Sequence, residues 1–302
     1  MIQMAGPDVS ISIVSLNTAK MLRDCLNSLV QSPTRVQFEI IIVDNGSQDE
    51  SVEILKAEFP QVQVIGLKHN EGYTRPMNLG LRAGQGRYLL QLNPDTIIHP
   101  SLLDGLVQFM DQHSEVGIAT PKVLNRDGTL QKQCRRSAAR PWDVLTYFSG
   151  LYKIFPKSRL FGRYLMTYMG DDDIFEVEAV SGSCMMIRRA VVDQIGYLDE
   201  AYFAYQEDTD FCFRAREAGW KIFYVPTESL VHFGGQGGSR VQPFNGIIQW
   251  HRSDYLYYRK HLAKEYFFLF NWLMYLFMAF KLGFSLAVNY VRKEKIVGTR
   301  QP

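Results

Sequence analysis

The sequence predicts an α/β fold in which a mixed, mostly parallel sheet is covered by helices on both faces. Three observations support this prediction. Strand and helix patterns alternate through the first hundred residues, the strands are near-continuous apolar runs, and the strand patterns end at polar turn residues. Apolar runs of this kind are typical of strands buried on both faces, and strand–helix alternation builds parallel sheets. In such sheets, ligands bind beyond the carboxyl ends of the strands.

The expected elements follow one another regularly in the first half of the chain. Strands are predicted at residues 9–17, 38–44, 62–67, 86–92 and 116–124, and helices at 19–32, 51–59, 75–84 and 102–113. The first helix shows the basis of these assignments, because Met21, Leu22, Cys25, Leu26 and Leu29 recur at helical spacing. Each helix then returns the chain to the start of a neighbouring strand.

The pattern loosens in the second half. Residues 140–170 are aromatic-rich and irregular, which predicts a flexible or partly disordered insertion over a cleft. One further strand is expected over residues 175–192. The chain is expected to end in hydrophobic or amphipathic helices within residues 261–302.

Charge and cysteine content exclude several classes of protein. The net charge of +2 is too small to indicate a nucleic-acid partner, although basic residues gather at Cys134 to Arg140 and near the C-terminus, where they would meet anionic ligands or lipid. The four cysteines lie far apart without a CxxC pair, which argues against a disulfide framework or a zinc site and favours a reducing compartment. The N-terminus lacks a secretory signal pattern, so a cytosolic start is expected.

An Asn-Pro-Asp sequence ends the fourth predicted strand. Pro94 fixes φ and has no N–H to donate, so the strand must stop there. Asp95 alone is ordinary turn chemistry. In a stiff loop, however, its carboxylate suits a hard divalent cation, which binds one or two protein carboxylates together with phosphate oxygens.

Two earlier loops bring polar side chains to the same sheet edge. Their polar and small residues are Asp44, Asn45, Ser47, Asn70, Gly72, Arg75 and Asn78. Asp44 could accept an N–H from a planar base, and Ser47 could contact sugar or phosphate. Gly72 permits a close backbone approach, and Arg75 could pair with a diphosphate. Ordinary strand-to-helix turns are the alternative explanation for both loops.

Three acids, Glu207, Asp208 and Asp210, stand within four positions at a predicted helix start. Acids stabilise helix N-termini, but one would be enough, and three repel one another unless one faces a substrate or a cation. A carboxylate placed there could act as general base for a hydroxyl. His232 precedes a glycine-rich stretch, where a structural role and a mobile binding site both remain open.

Taken together, these residues resemble the family 2 inverting glycosyltransferases with the GT-A fold, and most of all their bacterial rhamnosyltransferase-like branch. The resemblance covers about Val9 to Arg259. Its elements occur in the expected order: VSLN, VDNGSQD, NEGYTRPMNLGL, LLQLNPD, SGSCMMIRRAVVDQIGYLDE, EDTDFCFRAREAGW and VHFGGQGGS. The ordered set is specific, although no single element is decisive.

The resemblance implies a role for individual residues. Asp208 resembles the catalytic base, Asp44 resembles the acid that holds the donor's pyrimidine base, and Asp95 with His232 is expected to hold Mg²⁺ or Mn²⁺. Contacts to the nucleotide sugar are expected from Ser15, Asn17, Asp44, Asn45, Ser47, Asn70, Gly72, Arg75, Asn78, Asn93 and Glu207. Asn93 departs from the family's DxD motif, which leaves one negative charge for the cation.

The implied reaction moves one sugar from a nucleotide-diphosphate sugar to a hydroxyl of a glycan or lipid-linked acceptor in cell-surface polysaccharide synthesis. The favoured donor is dTDP-rhamnose, with a UDP-sugar as the alternative. The QxxRW motif of processive members is missing, since Gln249 to Arg252 reads QWHR. Residues 1–110 would then form the nucleotide-sugar half, 111–260 the acceptor half with the base, and 261–302 a membrane-associating or dimerising tail.

Two other functions stay open at this point. A non-catalytic nucleotide- or glycan-binding module on the same fold is kept open by Asn93. A sugar-nucleotide nucleotidyltransferase would want a glycine-rich, basic loop after the first strand, and the sequence there is SLNTAK.

The most hydrophobic stretch is residues 265–293. Its polar residues, Asn271, Lys281, Ser285 and Asn289, project within about a quarter of the circumference of a helix, and basic residues flank both ends. This pattern predicts a helix lying in the interface of the cytoplasmic membrane, on its inner face, or packed in a homodimer. An ordinary core helix is the alternative, because Lys281 interrupts any apolar run near 20 residues.

Overall fold

The computed structural model describes residues 6–234 and 243–291. The strands are β1 (Val9–Ser15), β2 (Phe38–Asp44), β3 (Gln63–Gly66), β4 (Tyr88–Leu92), β5 (Thr96–Ile98), β6 (Val116–Leu124), β7 (Arg135–Arg136), β8 (Phe175–Glu176), β9 (Ala179–Val180), β10 (Cys184–Arg188) and β11 (Lys221–His232). The helices are α1 (Ala19–Val30), α2 (Ser51–Glu58), α3 (Thr74–Ala83), α4 (Leu102–Gln112), α5 (Pro141–Phe148), α6 (Leu151–Ile154), α7 (Arg189–Ile195), α8 (Glu207–Glu217), α9 (Pro243–Tyr257) and α10 (Phe268–Val291).

Within the described residues, nine strands form one mixed sheet. Eight follow the order β3-β2-β1-β4-β10-β6-β11-β5, and β8 pairs with β11 beside that path. The first four strands are parallel, as predicted, whereas β10 runs antiparallel between β4 and β6. Cys184 pairs with Leu92, so β10 begins where β4 ends. The turn before β10 therefore lies at the carboxyl edge of the parallel strands.

The core lies on both faces of this sheet. All seven residues of β1 and all five of β4 are buried, as near-continuous apolar strands require. Helix α1 buries Leu22, Cys25, Leu26 and Leu29 against the sheet, which confirms the predicted apolar face. The four cysteines are buried and free, in agreement with the expectation of no disulfide framework.

The aromatic segment 140–170 is folded, which corrects the prediction of a flexible or partly disordered insertion, although residues 155–170 form irregular turns as expected. It contains α5 and α6. The ring of Tyr147 lies 5.3 Å from that of Tyr152 and 5.1 Å from that of Tyr164, measured between centroids. Ring contacts of this kind stabilise a short segment that lacks a repeating apolar pattern.

The single strand predicted over residues 175–192 is also corrected. The segment forms β8, β9 and β10, and the chain turns between the last two at Ser181–Ser183. Helix α7 then begins at Arg189, and it buries the β-branched Val191 and Val192. Their strand propensity is overridden by packing. Strand β5, three residues long and paired with β11, was not predicted.

The basic run at residues 134–140 is not a surface patch. Arg135 is fully buried, donates to the carbonyl of Gly170, and lies 4.6 Å from the ring centroid of Tyr224. Arg140 pairs with Glu178 at 2.7 Å. The expectation of a free anion- or lipid-binding patch at this run is corrected, because its guanidinium groups are used inside the fold.

Helix α10 presents its polar stripe to the protein. Asn271 donates to the carbonyl of Ala263 at 2.9 Å, Lys281 pairs with Asp254 at 3.2 Å, and Asn289 is buried. The opposite surface carries exposed apolar side chains: Phe268, Trp272, Leu273, Leu276, Phe280 and Phe284. In the described part of the chain, this is the one helix long and apolar enough to cross a membrane. The core-helix alternative is therefore wrong, because the apolar face is turned outward.

Candidate active site

A cleft of about 480 Å³, called here the main cleft, opens at the carboxyl edge of the sheet. It is lined by loops that follow β1, β3 and β4 and by the start of α8. Asn93, Asp95, Glu207, Asp208 and His232 all line it. Residues that are far apart in sequence, and that were predicted separately, are thus brought together in one site.

The loop after β3 is fixed by its neighbours. Gly72 has φ of +89°, and a Cβ there would lie 2.4 Å from the carbonyl oxygen of Phe203. The side-chain amide of Asn45 donates to Asn70 Oδ1 at 3.1 Å and to the carbonyl of Gly72 at 2.6 Å. Asn45, Asn70 and Gly72 therefore shape the wall of the cleft as well as lining it.

The loops after β1 and β2 are joined to each other. The backbone N–H of Asn17 donates to Ser47 Oγ at 3.0 Å, and Asn17 Oδ1 accepts from the backbone N–H of Gln48 at 2.8 Å. The hydroxyl of Ser15 lies 2.9 Å from that of Thr18. Ser15, Asn17 and Ser47 do not line the cleft themselves, but they connect the loops that carry the lining residues Leu16, Thr18 and Asn45.

Asp44 lies at the end of β2, as predicted, and is buried. Its Oδ2 accepts from the backbone N–H of Ser47 at 3.2 Å, whereas Oδ1 has no hydrogen-bond partner among the described residues. Buried carboxylate oxygens are rarely left without a donor. The vacant acceptor suits an N–H of a bound base.

Six of the predicted site residues do not line the main cleft: Ser15, Asn17, Asp44, Ser47, Arg75 and Asn78. Arg75 and Asn78 have other partners. Asn78 is fully buried, and its amide bonds the backbone of Leu198, so the structure gives it a structural role instead of a ligand contact. The guanidinium of Arg75 pairs with Glu71 at 3.0 Å, and 59% of its side chain is exposed. In this arrangement Arg75 does not line the cleft, and the diphosphate contact predicted for it has no geometric support.

Asp95 and His232 form a compact pair at one end of the main cleft. Their Oδ1 and Nε2 atoms are 3.2 Å apart, and both side chains are about nine-tenths buried. His232 Nδ1 lies 2.7 Å from Gln131 Oε1, which can only accept, so Nδ1–H donates to it and Nε2 is the ring nitrogen that faces Asp95. A carboxylate oxygen beside an imidazole lone pair is a donor set that fits Mg²⁺ or Mn²⁺.

The protein offers few ligands for a cation at this pair. Among the described residues, no group of three or more His, Cys, Asp or Glu side chains could hold a metal. Asn93, the residue that departs from the DxD motif, accepts from the Tyr73 hydroxyl at 2.9 Å and lies 3.3 Å from His232 Nε2 through its amide nitrogen. A cation bound by Asp95 and His232 would therefore take its other ligands from the diphosphate and water.

The two acids at the start of α8 are in different states. Asp208 Oδ2 accepts from Arg136 at 3.0 Å and from the backbone N–H of Gly182 at 2.9 Å, and its Oδ1 accepts from Thr209. Glu207 is 5% exposed, and its Oε2 has no hydrogen-bond partner among the described residues. Burial, with the nearby Asp208 carboxylate, raises the pKa of Glu207 to about 8.

Several residues of the site were missed from sequence. Arg136 was noticed only as part of a basic run, and its pairing with an acid 72 positions away leaves no local signal. Tyr73, Gln131 and Trp250 also line the cleft. Among these missed residues, Gln206 could have been found from the sequence, because it is polar and directly precedes the acids at a predicted helix start.

The main cleft therefore combines a carboxylate–imidazole pair, Asp95 and His232, with two adjacent acids, Glu207 and Asp208. The glycosyl transferase family 2 model matches residues 10–196, so the chain belongs to this family. The expected GT-A fold is confirmed, and family membership sets aside the nucleotidyltransferase alternative.

One curated relative is the N-acetylglucosaminyl-diphospho-decaprenol L-rhamnosyltransferase of Mycobacterium tuberculosis, which is 26% identical over 235 residues, or 74% of this chain and 75% of the relative. Among solved structures, Staphylococcus aureus TarS 1–349 with UDP-GlcNAc has a TM-score of 0.59 at 17% identity, over 85% of this chain and 67% of that one. The Pyrobaculum calidifontis mannosyltransferase with GDP-Man and Mn²⁺ has a TM-score of 0.54 at 14% identity, over 83% and 64%.

The raised pKa of Glu207 predicts a pH-dependent effect of its removal. A carboxyl with a raised pKa in the folded state contributes stability below its ordinary pKa of 4.5 and loses it as pH rises towards about 8. We expect Glu207→Gln to be as stable as the wild type near pH 5 and more stable by about 1 kcal/mol or more at pH 8. Chemical denaturation across this range measures the difference, with the exposed Glu217→Gln on the same helix as control. A difference that stays constant with pH would contradict the assignment.

Proposed function

We propose that this protein transfers a single sugar from a nucleotide-diphosphate sugar to an acceptor hydroxyl, with inversion at the anomeric carbon and with Asp208 as the base. The observation that carries the proposal is the main cleft, which has a cation-suited pair and an acid pair on its walls. Donor and acceptor can therefore meet between them, as an in-line displacement requires.

We place the nucleotide diphosphate of the donor beside the loops that follow β1, β2 and β3. Asp44 Oδ1 lacks a donor, which a pyrimidine N–H would supply. The neighbouring loops are held by Asn17, Asn45 and Asn70, so the base and ribose would enter a preformed wall. We infer dTDP-rhamnose as the donor because the Mycobacterium tuberculosis relative is named a rhamnosyltransferase, and UDP-sugars are the second choice.

Asp95 and His232 would hold a divalent cation beside the diphosphate. When bound, the cation neutralises the charge that gathers on the leaving group. The surrounding side chains orient the ring of His232. Gln131 fixes the ring of His232 through Nδ1, and Asn93 joins that ring to the Tyr73 hydroxyl. Second-sphere contacts of this kind orient metal ligands.

Two carboxylates compete for the role of base, and we assign it to Asp208. Arg136 pairs with Asp208 as a carboxylate, the form that can take a proton, and the family resemblance places the base at this position. Glu207 lacks a compensating donor on Oε2, and with its raised pKa it is mostly protonated at neutral pH. The acceptor hydroxyl must then displace one of the donors that now occupy Asp208.

We further propose that α10 binds the inner face of the cytoplasmic membrane. The polar stripe of the helix is already covered by the protein, so the remaining surface is almost wholly apolar, with Phe268 81% and Phe280 71% exposed. Apolar surface of this extent is rarely left in water. A lipid-linked acceptor, such as the one in the name of the Mycobacterium tuberculosis relative, would lie in that membrane.

The assignment of the base predicts a separation between binding and turnover. Asp208→Asn should lower kcat by roughly 10²–10⁴-fold, while donor-nucleotide binding by calorimetry changes little. Glu217→Gln is the matched control. Glu207→Gln should retain turnover, and wild-type kcat should not climb steeply between pH 6 and 8. Loss of turnover in Glu207→Gln, with a rise in wild-type activity up to about pH 8, would instead make Glu207 the base. An Asp208→Asn protein that remains fully active would exclude Asp208 as the base.

The cation pair predicts opposite effects for two variants. Asp95→Ala removes the carboxylate, so Mn²⁺ should no longer enhance binding of UDP or dTDP. Asn93→Asp adds a second carboxylate beside the pair, so the same enhancement should appear at a lower Mn²⁺ concentration. Calorimetric titrations of nucleotide with and without Mn²⁺ measure both. Unchanged Mn²⁺ dependence in Asp95→Ala would show that the cation, if used, binds elsewhere.

The outward face of α10 predicts membrane binding. The wild type should sediment with anionic lipid vesicles, and replacing Phe268, Trp272, Phe280 and Phe284 with serine should release it by at least tenfold. Trp142 and Phe155, exposed on the segment 140–170, provide matched control substitutions. A wild type that stays in the supernatant as a stable dimer would contradict membrane binding and favour the homodimer.

A further inference from the structure

A second cavity, called here the side cavity, adjoins the main cleft. It measures about 210 Å³ and lies between α5, α9 and α10. The two share four lining residues: Gln133, Arg136, Gln206 and Trp250. Arg136 contacts Asp208, and Gln206 directly precedes Glu207. A ligand whose hydroxyl reaches the acids can therefore continue into the side cavity.

The walls of the side cavity are mainly apolar and aromatic. They include Val144 and Phe148 of α5, Tyr257 of α9, and Met274 and Met278 of α10. Methionine and aromatic side chains suit a flexible apolar chain, because they adapt their packing to it.

The side cavity reaches the outer surface beside the apolar face of α10. Phe148 and Phe277 line it, yet they are 47% and 52% exposed. They mark an opening on the side of the molecule that carries the outward residues Leu273, Leu276 and Phe280. An apolar chain that leaves the cavity would enter the membrane to which α10 binds.

Lys281 adds a positive charge to the wall of the side cavity, besides that of Arg136. Lys281 Nζ pairs with Asp254 at 3.2 Å and lies 4.6 Å and 4.8 Å from the ring centroids of Phe148 and Trp250. An ammonium group has three donors, and phosphate oxygens are good acceptors for it. Asp254 in turn accepts from Gln206 at 2.8 Å, which connects this charge to the start of α8.

We propose that the side cavity is the acceptor subsite and binds the end of a polyprenyl diphosphate nearest its diphosphate: the first isoprenoid units between α5 and α10, and the phosphates at Lys281. The inference rests on the proposed function, since it assumes that the acceptor sugar sits at Asp208. It adds the chemical class of the acceptor's anchor and the residues that select it.

The test is photolabelling of the full chain in detergent with a farnesyl diphosphate that carries a diazirine at the chain end. Labelled peptides should come from α5 and from residues 274–281. Met278→Trp fills the cavity and should lower labelling at least fivefold. Leu276→Trp, which adds the same ring to the outward face of the same helix, should leave it unchanged.

A second pair of variants probes the other wall, in case Met278→Trp fails to fold. Val144→Trp fills the cavity from α5, and Leu145→Trp, whose side chain is 54% exposed, is its control. Unlabelled farnesyl phosphate should compete with the probe, whereas inorganic diphosphate should compete only weakly. Equal labelling in the filled and control variants, or labels confined to the outward residues of α10, would overturn the proposal.

Calorimetry of donor nucleotide on the same samples separates this proposal from the proposed function. Donor binding that persists in Met278→Trp, together with lost labelling, supports both. Labelling as expected without any donor binding would preserve the lipid subsite and reject the transferase assignment. Donor binding without cavity-dependent labelling would reject the subsite alone.

Discussion

Two neighbouring carboxylates, Glu207 and Asp208, lie beside one guanidinium, and only Asp208 forms an ion pair with it. Burying an ion costs several kcal/mol unless a partner and hydrogen bonds compensate for it. Asp208 receives that compensation from Arg136 and from the backbone N–H of Gly182. Glu207 does not, and its raised pKa is the result.

Strand β10, which is antiparallel to both of its neighbours, positions one of the donors to Asp208. Because it runs antiparallel between β4 and β6, the turn before it, with Gly182, arrives at the carboxyl end of β4. Arg136 comes from β7, which pairs with β9 immediately before that turn. The antiparallel strand β10 and the separate two-stranded sheet of β7 and β9 thus position the two donors to Asp208. The parallel strands carry the loops proposed to bind the nucleotide.

The sequence was sufficient for the regular part of this fold and for the acids, but not for their partners. Helical spacing and apolar runs located the elements up to β6, except the three-residue β5, because those patterns are local. The three acids of α8 could not be ranked, since their difference lies in distant residues: Asp208 meets Arg136, whereas Asp210 is fully buried among Arg214, Lys260 and His261. Burial acts to raise the pKa of Asp210, but hydrogen bonds from these three side chains outweigh it and lower that pKa. Contacts between residues 50 to 72 positions apart produce no periodic pattern in the sequence from which they could be predicted.

The orientation of helix α10 also could not be predicted from its sequence, and contacts with α9 determine it. Its sequence defines a polar stripe, yet a stripe does not state which side meets the protein. In a soluble helix the apolar side packs inward, but here Asp254 and His251 of α9 offer polar partners to Lys281 and Ser285. Those contacts fix the helix with its apolar side outward, where each Å² of apolar surface removed from water contributes about 25 cal/mol.

The ion pair that orients α10 also borders the side cavity and contacts Gln206 through Asp254. The helix proposed to bind the membrane and the start of α8 are therefore connected through one short chain of polar contacts, so a lipid acceptor and the proposed base would be held in a fixed relative position.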